Sequence, residues 1–197
     1  ALARDLPPDP TRGQLVEIVL RESARLNQIV GDFLEYARPA PMAPIEINMA
    51  EILDEVLLLI EHRALPANLK VSREYGEALP VRADPQRLRQ AVWNLCLNAV
   101  QAMPDGGELR VGAHSLRERG GHLQISITDT GQGIAETDLP HIFEPFFSTK
   151  PEGSGIGLAL VYRVVEEHGG SIEVRSRVGE GTTFFLALPS PAGTPRG

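Results

Sequence analysis

The sequence predicts an α/β domain built on a mixed or antiparallel sheet, with one long helix ahead of it. Three observations predict it. Strand-like alternation and helical periodicity intermix along the last three quarters of the chain. The pattern closes on a hairpin, Ser171–Val178 and Thr182–Leu188 around Gly179-Glu-Gly181. A stiff segment with three prolines, Arg38-Pro-Ala-Pro-Met-Ala-Pro44, cuts the α/β pattern from the helix before it. The terminal hairpin and the strand pair beside it favour a mixed sheet over a doubly wound parallel one. The predicted organisation is a helical segment over 1–38, a linker over 39–46, an α/β domain over 47–190 and a tail over 191–197.

The elements follow in order. After the breakers Pro7, Pro8 and Pro10, a helical pattern runs from Thr11 to Arg38. Leu15, Val19, Leu26, Ile29, Phe33 and Tyr36 recur at spacings of three and four, with Glu22 as the polar member. Ile18, Val30, Leu34 and Ala37 widen that stripe beyond a two-helix seam, which suits an antiparallel bundle. Met49 to Arg63 reads as a helix and Leu69 to Tyr75 as a strand. Asp84, followed by Pro85, caps a helix that runs to Met103. Glu108–His114 and His122–Asp129 alternate as strands, and Gly155–His168 is a helix stopped by Gly169-Gly170.

Composition narrows the function classes. An apolar fraction of 42% and a charged fraction of 23% are those of a globular domain. The strongest apolar run, Val56 to Ile60, is far short of the roughly 18–20 residues of a membrane span. The opening ALARDLPPDP lacks the apolar stretch of a secretory signal, and the single cysteine, Cys96, allows no disulfide framework. A reducing, cytoplasmic compartment is the expectation. A net charge of −7 argues against nonspecific binding to nucleic acid or to an anionic membrane. A polyanion would have to be held by local devices: backbone amides, a metal ion and a few cations.

Four elements carry candidate chemistry. Asn94 and Asn98 lie four apart and share a helix face. An amide oxygen can ligate magnesium when phosphates and waters supply the rest, although the same pair could be solvated. In Leu123-Gln-Ile-Ser-Ile-Thr-Asp-Thr-Gly-Gln-Gly-Ile134, alternation puts Asp129 on the face of Leu123, Ile125 and Ile127. An inward carboxylate needs a donor, and the amino group of a purine could be one. Gly131 and Gly133 would let the backbone pass close to a flat ligand. The alternative is an ordinary Asp-Thr-Gly turn. Gly153-Ser-Gly-Ile-Gly-Leu158, with glycines at Gly153, Gly155 and Gly157, opens a helix whose free amides can cradle phosphate. These glycines follow a loop, and no lysine follows Gly157, so neither a dinucleotide fold nor a Walker loop fits. Between these elements, Ile142-Phe-Glu-Pro-Phe-Phe-Ser-Thr-Lys150 reads as a lid anchored by aromatics. Lys150 either approaches a phosphate or is a solvated surface lysine.

In this order the elements resemble the ATPase domain shared by sensor histidine kinases and several other ATPases, the Bergerat fold. Asn94-Leu-Cys-Leu-Asn98-Ala is similar to the family's N box, and Asp129-Thr-Gly-Gln-Gly133 to its first glycine box. Phe143-Glu-Pro-Phe-Phe147 resembles its phenylalanine box, Gly153-Ser-Gly-Ile-Gly157-Leu158 its second glycine box and Gly179-Glu-Gly-Thr-Thr183 the last one. The resemblance covers Asn94 to Phe184. It implies a two-layer α/β sandwich with helices on one face of a mixed sheet, binding ATP and Mg2+ under the lid. It makes Asn98 the principal magnesium ligand with Asn94 beside it. Asp129 becomes the acceptor for the adenine amine, with a water bridged by Thr183, and Gly155 and Gly157 backbone neighbours of the phosphates. It implies a protein-histidine kinase that positions the γ-phosphate for a histidine imidazole, with relay to a response regulator receiver domain.

Hydrolysing relatives of the fold carry a glutamate base one turn before the magnesium asparagine. Here that position is Asn94, which favours transfer to a protein over hydrolysis. The helix ending Tyr-Ala-Arg-Pro39 resembles the second helix of a kinase dimerisation hairpin, and Ala1-Leu-Ala-Arg-Asp-Leu-Pro-Pro8 the tail of its first helix and the turn, implying a homodimer through that hairpin. None of the five histidines, His62, His114, His122, His141 and His168, stands in an acceptor motif, so the acceptor is expected upstream. A hydrolysing ATPase of the same fold, and a dimeric scaffold that binds nucleotide without turnover, remain as alternatives.

Overall fold

The structure is a computed structural model that describes residues 13, 15, 16, 18–20, 22, 23, 26, 30, 31, 33, 34, 41–62, 66, 68–116, 121–150 and 153–189. The chain divides into two units, residues 1–40 and 41–197. In the first, every described residue between 13 and 34 is helical, and Leu15, Ile18, Val19, Leu26, Val30, Phe33 and Leu34 are exposed. The expected hairpin tail 1–8, the stripe members Ile29 and Tyr36, the Tyr-Ala-Arg-Pro39 ending and the tail 191–197 lie outside the described residues.

The second unit runs β1 (Ile45–Asn48), α1 (Met49–Glu61), β2 (Leu69–Tyr75), β3 (Pro80–Ala83), α2 (Pro85–Gln101), β4 (Gly107–Leu116), β5 (His122–Asp129), α3 (Gly157–Glu167), β6 (Ser171–Arg177) and β7 (Gly181–Pro189). Five strands form one sheet in the order β2-β4-β5-β7-β6. Only β2–β4 is parallel, with Leu69 opposite Gly107, and the other neighbours are antiparallel. The mixed sheet is therefore as expected. β1 and β3 form a separate antiparallel pair, Ile45 opposite Ala83. The sequence reading missed both. Each is only four residues long, and β1 begins inside the span assigned to the linker.

Two side chains fix the helix starts. Asn48 accepts from the amides of Ala50 and Leu79, at 3.3 and 2.9 Å, so α1 is capped and tied to the approach of β3. Asp84 accepts from Gln86 and Arg87, at 3.0 and 3.2 Å, with Pro85 at the first helical position of α2.

The core lies between the helices and one sheet face. Met49, Leu53, Val56, Leu57 and Ile60 of α1 and Leu88, Val92, Leu95 and Cys96 of α2 are fully buried. They join Val161, Val164 and Val165 of α3 and the inward residues Leu109, Val111, Leu123, Ile125, Ile127, Leu186 and Leu188. Each Leu or Ile so buried contributes about 1.5–3 kcal/mol relative to an exposed one. On the opposite face Thr128, Ser126, Thr183 and Phe185 alternate outward, and the Arg175 guanidinium lies 5.0 Å from the Phe185 ring. This is a two-layer α/β sandwich, and α2, α3 and the ends of β5 and β7 hold the site residues.

Candidate functional site

Helix α2 has one buried stripe, Leu88, Ala91, Leu95 and Ala99, and the half-buried Asn94 and Asn98 lie beside it. Asn94 donates from Nδ2 to the carbonyl of Gly157 at 3.4 Å, so α2 faces the start of α3. Asn98 makes no side-chain hydrogen bond among the described residues. Helix α3 begins at Gly157, two residues later than the sequence suggests, because Gly155 has φ +68°, outside the helical region. Its N-cap, Ile156, supplies no side-chain acceptor, so the first amides of α3 lack a side-chain cap. A Cβ built on Gly157 meets nothing closer than Asn94 Cγ, at 3.8 Å. Glycine is not demanded there by any protein neighbour. Leu158 is half-buried and packs on the core.

At the end of β5, Asp129 is 4% exposed, on the face of Leu123, Ile125 and Ile127, as alternation requires. Burial pushes its carboxyl above the usual carboxylate range, opposed by the amides of Gly131 and Thr182 and by the Lys150 charge. The Gly131 amide donates to it at 2.9 Å. The glycines after it serve a different purpose from the one expected. A Cβ on Gly131 would lie 2.5 Å from the Ala102 carbonyl oxygen, and one on Gly133 2.1 Å from that of Arg177. The close approach they permit is to the protein's own backbone at the end of α2 and of β6.

The register of β5 and β7 corrects one residue. Asp129 stands opposite Thr182, which is 5% exposed and shares its inward face. Thr183 stands opposite Thr128 on the outer face, their hydroxyls 3.1 Å apart. Thr183 therefore cannot bridge a water to Asp129, and Thr182 is the threonine beside it. Counting back by twos from the inward Leu188, Leu186 and Phe184 was the signal that reached Thr182.

The segment read as a lid is held by its aromatics. Ile142 is buried, Phe143 packs against Tyr162 and Phe184 with centroids at 5.5 and 6.4 Å, and Phe147 lies 5.8 Å from His141. Phe146 differs: it is 63% exposed at φ +70°, and its amide donates to the Gly155 carbonyl at 2.9 Å. Gly155 is glycine because a Cβ would sit 2.4 Å from the Phe146 carbonyl carbon. Gly153 lies against Ser148, whose Oγ would be 2.2 Å from a Cβ there. Lys150 is half-buried and donates to Gln101 Oε1 at 2.9 Å. Burial pushes its ammonium down while Asp129 raises it. Held by Gln101, it lies toward Asp129 and the end of α2. Gln101, one turn beyond Asn98, is a site neighbour that the sequence reading passed over.

The structure thus gathers Asn94, Asn98, Gly157 and Leu158 at one end, and Asp129, Gly131, Gly133, Thr182 and Lys150 at the other. Comparisons with known proteins identify the family. A family described as histidine kinase-, DNA gyrase B-, and HSP90-like ATPase matches residues 83–192. The sensor histidine kinase ZraS of Escherichia coli (strain K12) is 40% identical over 177 residues, 89% of this chain and 37% of that protein. The chain thus spans little more than a third of that relative. Full-length ShkA solved with AMPPNP superposes with a TM-score of 0.78 at 30% identity, over 95% of this chain and 41% of that one. Histidine kinase ThkA in complex with response regulator protein TrrA gives 0.79 at 28% identity, over 95% and 54%. With its five ordered boxes inside the matched span, the chain belongs to the histidine kinase-, DNA gyrase B- and HSP90-like ATPase family, and its ATPase domain is of the sensor histidine kinase kind.

Proposed function

We propose that this chain binds ATP with a magnesium ion and aligns the γ-phosphate for attack by a histidine imidazole of a protein acceptor, for relay to a response regulator. The observation that carries the reading is a two-ended site. A buried carboxylate, Asp129, stands at one end, and an uncapped helix start faced by two asparagines stands at the other.

The base end is Asp129 accepting from an exocyclic amine, with Thr182 on the same face and Gly131 and Gly133 shaping the turn. The phosphate end is the N-terminus of α3, where amides and the helix dipole favour an anion. Gly153, Gly155 and Gly157 bring backbone to it, and Leu158 seats the first turn on the core. Lys150, on the lid, supplies a cation to an otherwise acidic domain. Magnesium fits the donors present: among the described residues the Asn98 side chain makes no hydrogen bond and Asn94 makes one long bond, and both offer hard oxygen. Among the described residues no cluster of His, Cys, Asp or Glu competes for a metal. Asn98, with Asn94 beside it, would hold the ion, which when bound would supply charge to offset that of the phosphates. The protein's own contribution is alignment and the exclusion of water beneath the lid.

The acceptor we propose is a histidine of a dimerisation hairpin, the full protein pairing through that hairpin as a homodimer, on the cytoplasmic side of any membrane. No helix among the described residues is long and apolar enough to cross one. The histidines present have other placements. His62 caps α1 through Leu58, His141 contacts Glu144, His168 lies between two helices, and His114 and His122 are in strands β4 and β5.

The test is phosphotransfer in trans. Mixed with a hairpin dimer carrying a histidine acceptor, the chain is expected to pass label from ATP to that histidine. With no acceptor present, phosphate release should be slow. No transfer together with rapid release would move the assignment to a hydrolysing ATPase, and binding with neither would leave a scaffold.

A further inference from the structure

Helices α2 and α3 run antiparallel and are tied at both ends. At the site end a 3.4 Å bond runs from Asn94 to the Gly157 carbonyl. At the far end it is dense. The Asp84 backbone amide donates to His168 Nε2 at 2.9 Å, and His168 Nδ1 is 2.6 Å from the Val164 carbonyl. A carbonyl can only accept, so Nδ1 donates and Nε2 accepts, which only the neutral ring can do. The same Asp84 is 7% exposed and caps α2, and its Oδ2 takes the Ala43 amide at 3.0 Å. Burial would raise its carboxyl, but the amides of Ala43, Arg87 and Gln86 and the Arg87 guanidinium outweigh it and hold it below the usual range. Arg87 also pairs with Glu167, and Glu167 with Arg163 one turn back at 3.0 Å.

The lever arms match. Asp84 to Asn94 is about 15 Å along α2, and Gly157 to His168 about 16 Å along α3, at 1.5 Å per residue. The site end has to yield its protein contact when Asn94 and the α3 amides turn to a ligand, so it cannot also set the spacing of the helices. We propose that Asp84 and His168 are positioning residues. They form a clamp at the far end of α2 and α3 that fixes the axial register of the two helices, and so places the Gly157 helix start opposite Asn94 and Asn98. Through Ala43 the same carboxylate pins the point where the chain enters the domain, joining that position to the geometry of the nucleotide end.

The inference rests on the ATP reading, and the experiment separates the two. In the 197-residue chain, His168→Leu removes both ring contacts, whereas His168→Gln keeps an acceptor within reach of the Asp84 amide. Titration with MgADP well below each melting temperature, by calorimetry, is expected to show affinity lost about tenfold in His168→Leu and kept within about threefold in His168→Gln. In the nucleotide-free protein, the side-chain amide resonances of Asn94 and the backbone resonance of Gly157 should move in His168→Leu and stay in His168→Gln. A merely structural histidine would lower the melting temperature of both variants and leave affinity and those resonances alone, and that result overturns the clamp. Equal loss in both variants also overturns it. If the unsubstituted chain does not bind MgADP, the ATP reading fails, and the resonances alone decide the clamp. Should His168→Leu not fold, His168→Asn, too short to reach Asp84, replaces it with the same expectations.

Discussion

Asp129 holds a carboxylate against the inner face of a sheet, where water would otherwise be its partner, and two backbone amides offset only part of that cost. Because its pKa is raised on folding, it favours the folded state only while protonated. That contribution is complete below the unfolded-state value of about 4 and is lost as pH rises through the folded one. At neutral pH the residue therefore costs stability. Asp129→Asn should melt higher than the unsubstituted protein at pH 7, with the gap closing as the pH falls toward 4, and scanning calorimetry across that range reads it. The same change replaces a charged acceptor by a neutral one. Affinity for MgATP should fall about 10- to 100-fold, the value of a hydrogen bond to a charged group. Unchanged affinity would remove Asp129 from the base end. The residue scale is also where the sequence spoke least evenly. Asp129 and the two asparagines were legible because one periodicity fixed each. The threonine was misplaced because a repeated Thr-Thr offers two candidates, and only the pairing partner across the sheet separates them.

At the scale of elements, the start of α3 carries the clearest opposition between stability and function. Gly157 has room for a methyl group, and alanine is the better helix former by up to about 1 kcal/mol. Gly157→Ala should leave stability to urea unchanged or higher, yet weaken MgATP, because the methyl would stand where the first amides of α3 meet phosphate. Equal affinity would place the phosphates elsewhere. The expected start lies two residues early because glycine spacing marks a turn but not which glycine carries the positive φ. That depended on Phe146, nine residues back, and its bond to Gly155. The long elements α1, α2, β4 and β5 were readable because a buried face repeats along them. β1 and β3 were not, since four-residue strands hold too few alternations to stand out beside prolines. The caps Asn48 and Asp84 join elements 31 and 41 residues apart in sequence, which local pattern cannot show.

On the scale of the whole molecule, the matched family span holds every residue proposed for nucleotide binding, while the described residues of the 1–40 unit offer exposed apolar helix surface. The chain's single cysteine sits in α2 between the two asparagines, fully buried, its thiol pushed up to about 12 by desolvation. It is thus chemically silent in the folded domain and reactive only when the core around α2 opens, an internal stopwatch that needs no engineered probe. Timed alkylation of Cys96 should follow opening of that core. MgADP at a hundred times its dissociation constant should slow the reaction about 100-fold, as mass action on the folded state requires. An unaltered labelling rate would mean that nucleotide does not stabilise this core. Each occupancy of the site then becomes legible as a reaction half-time at one sulfur.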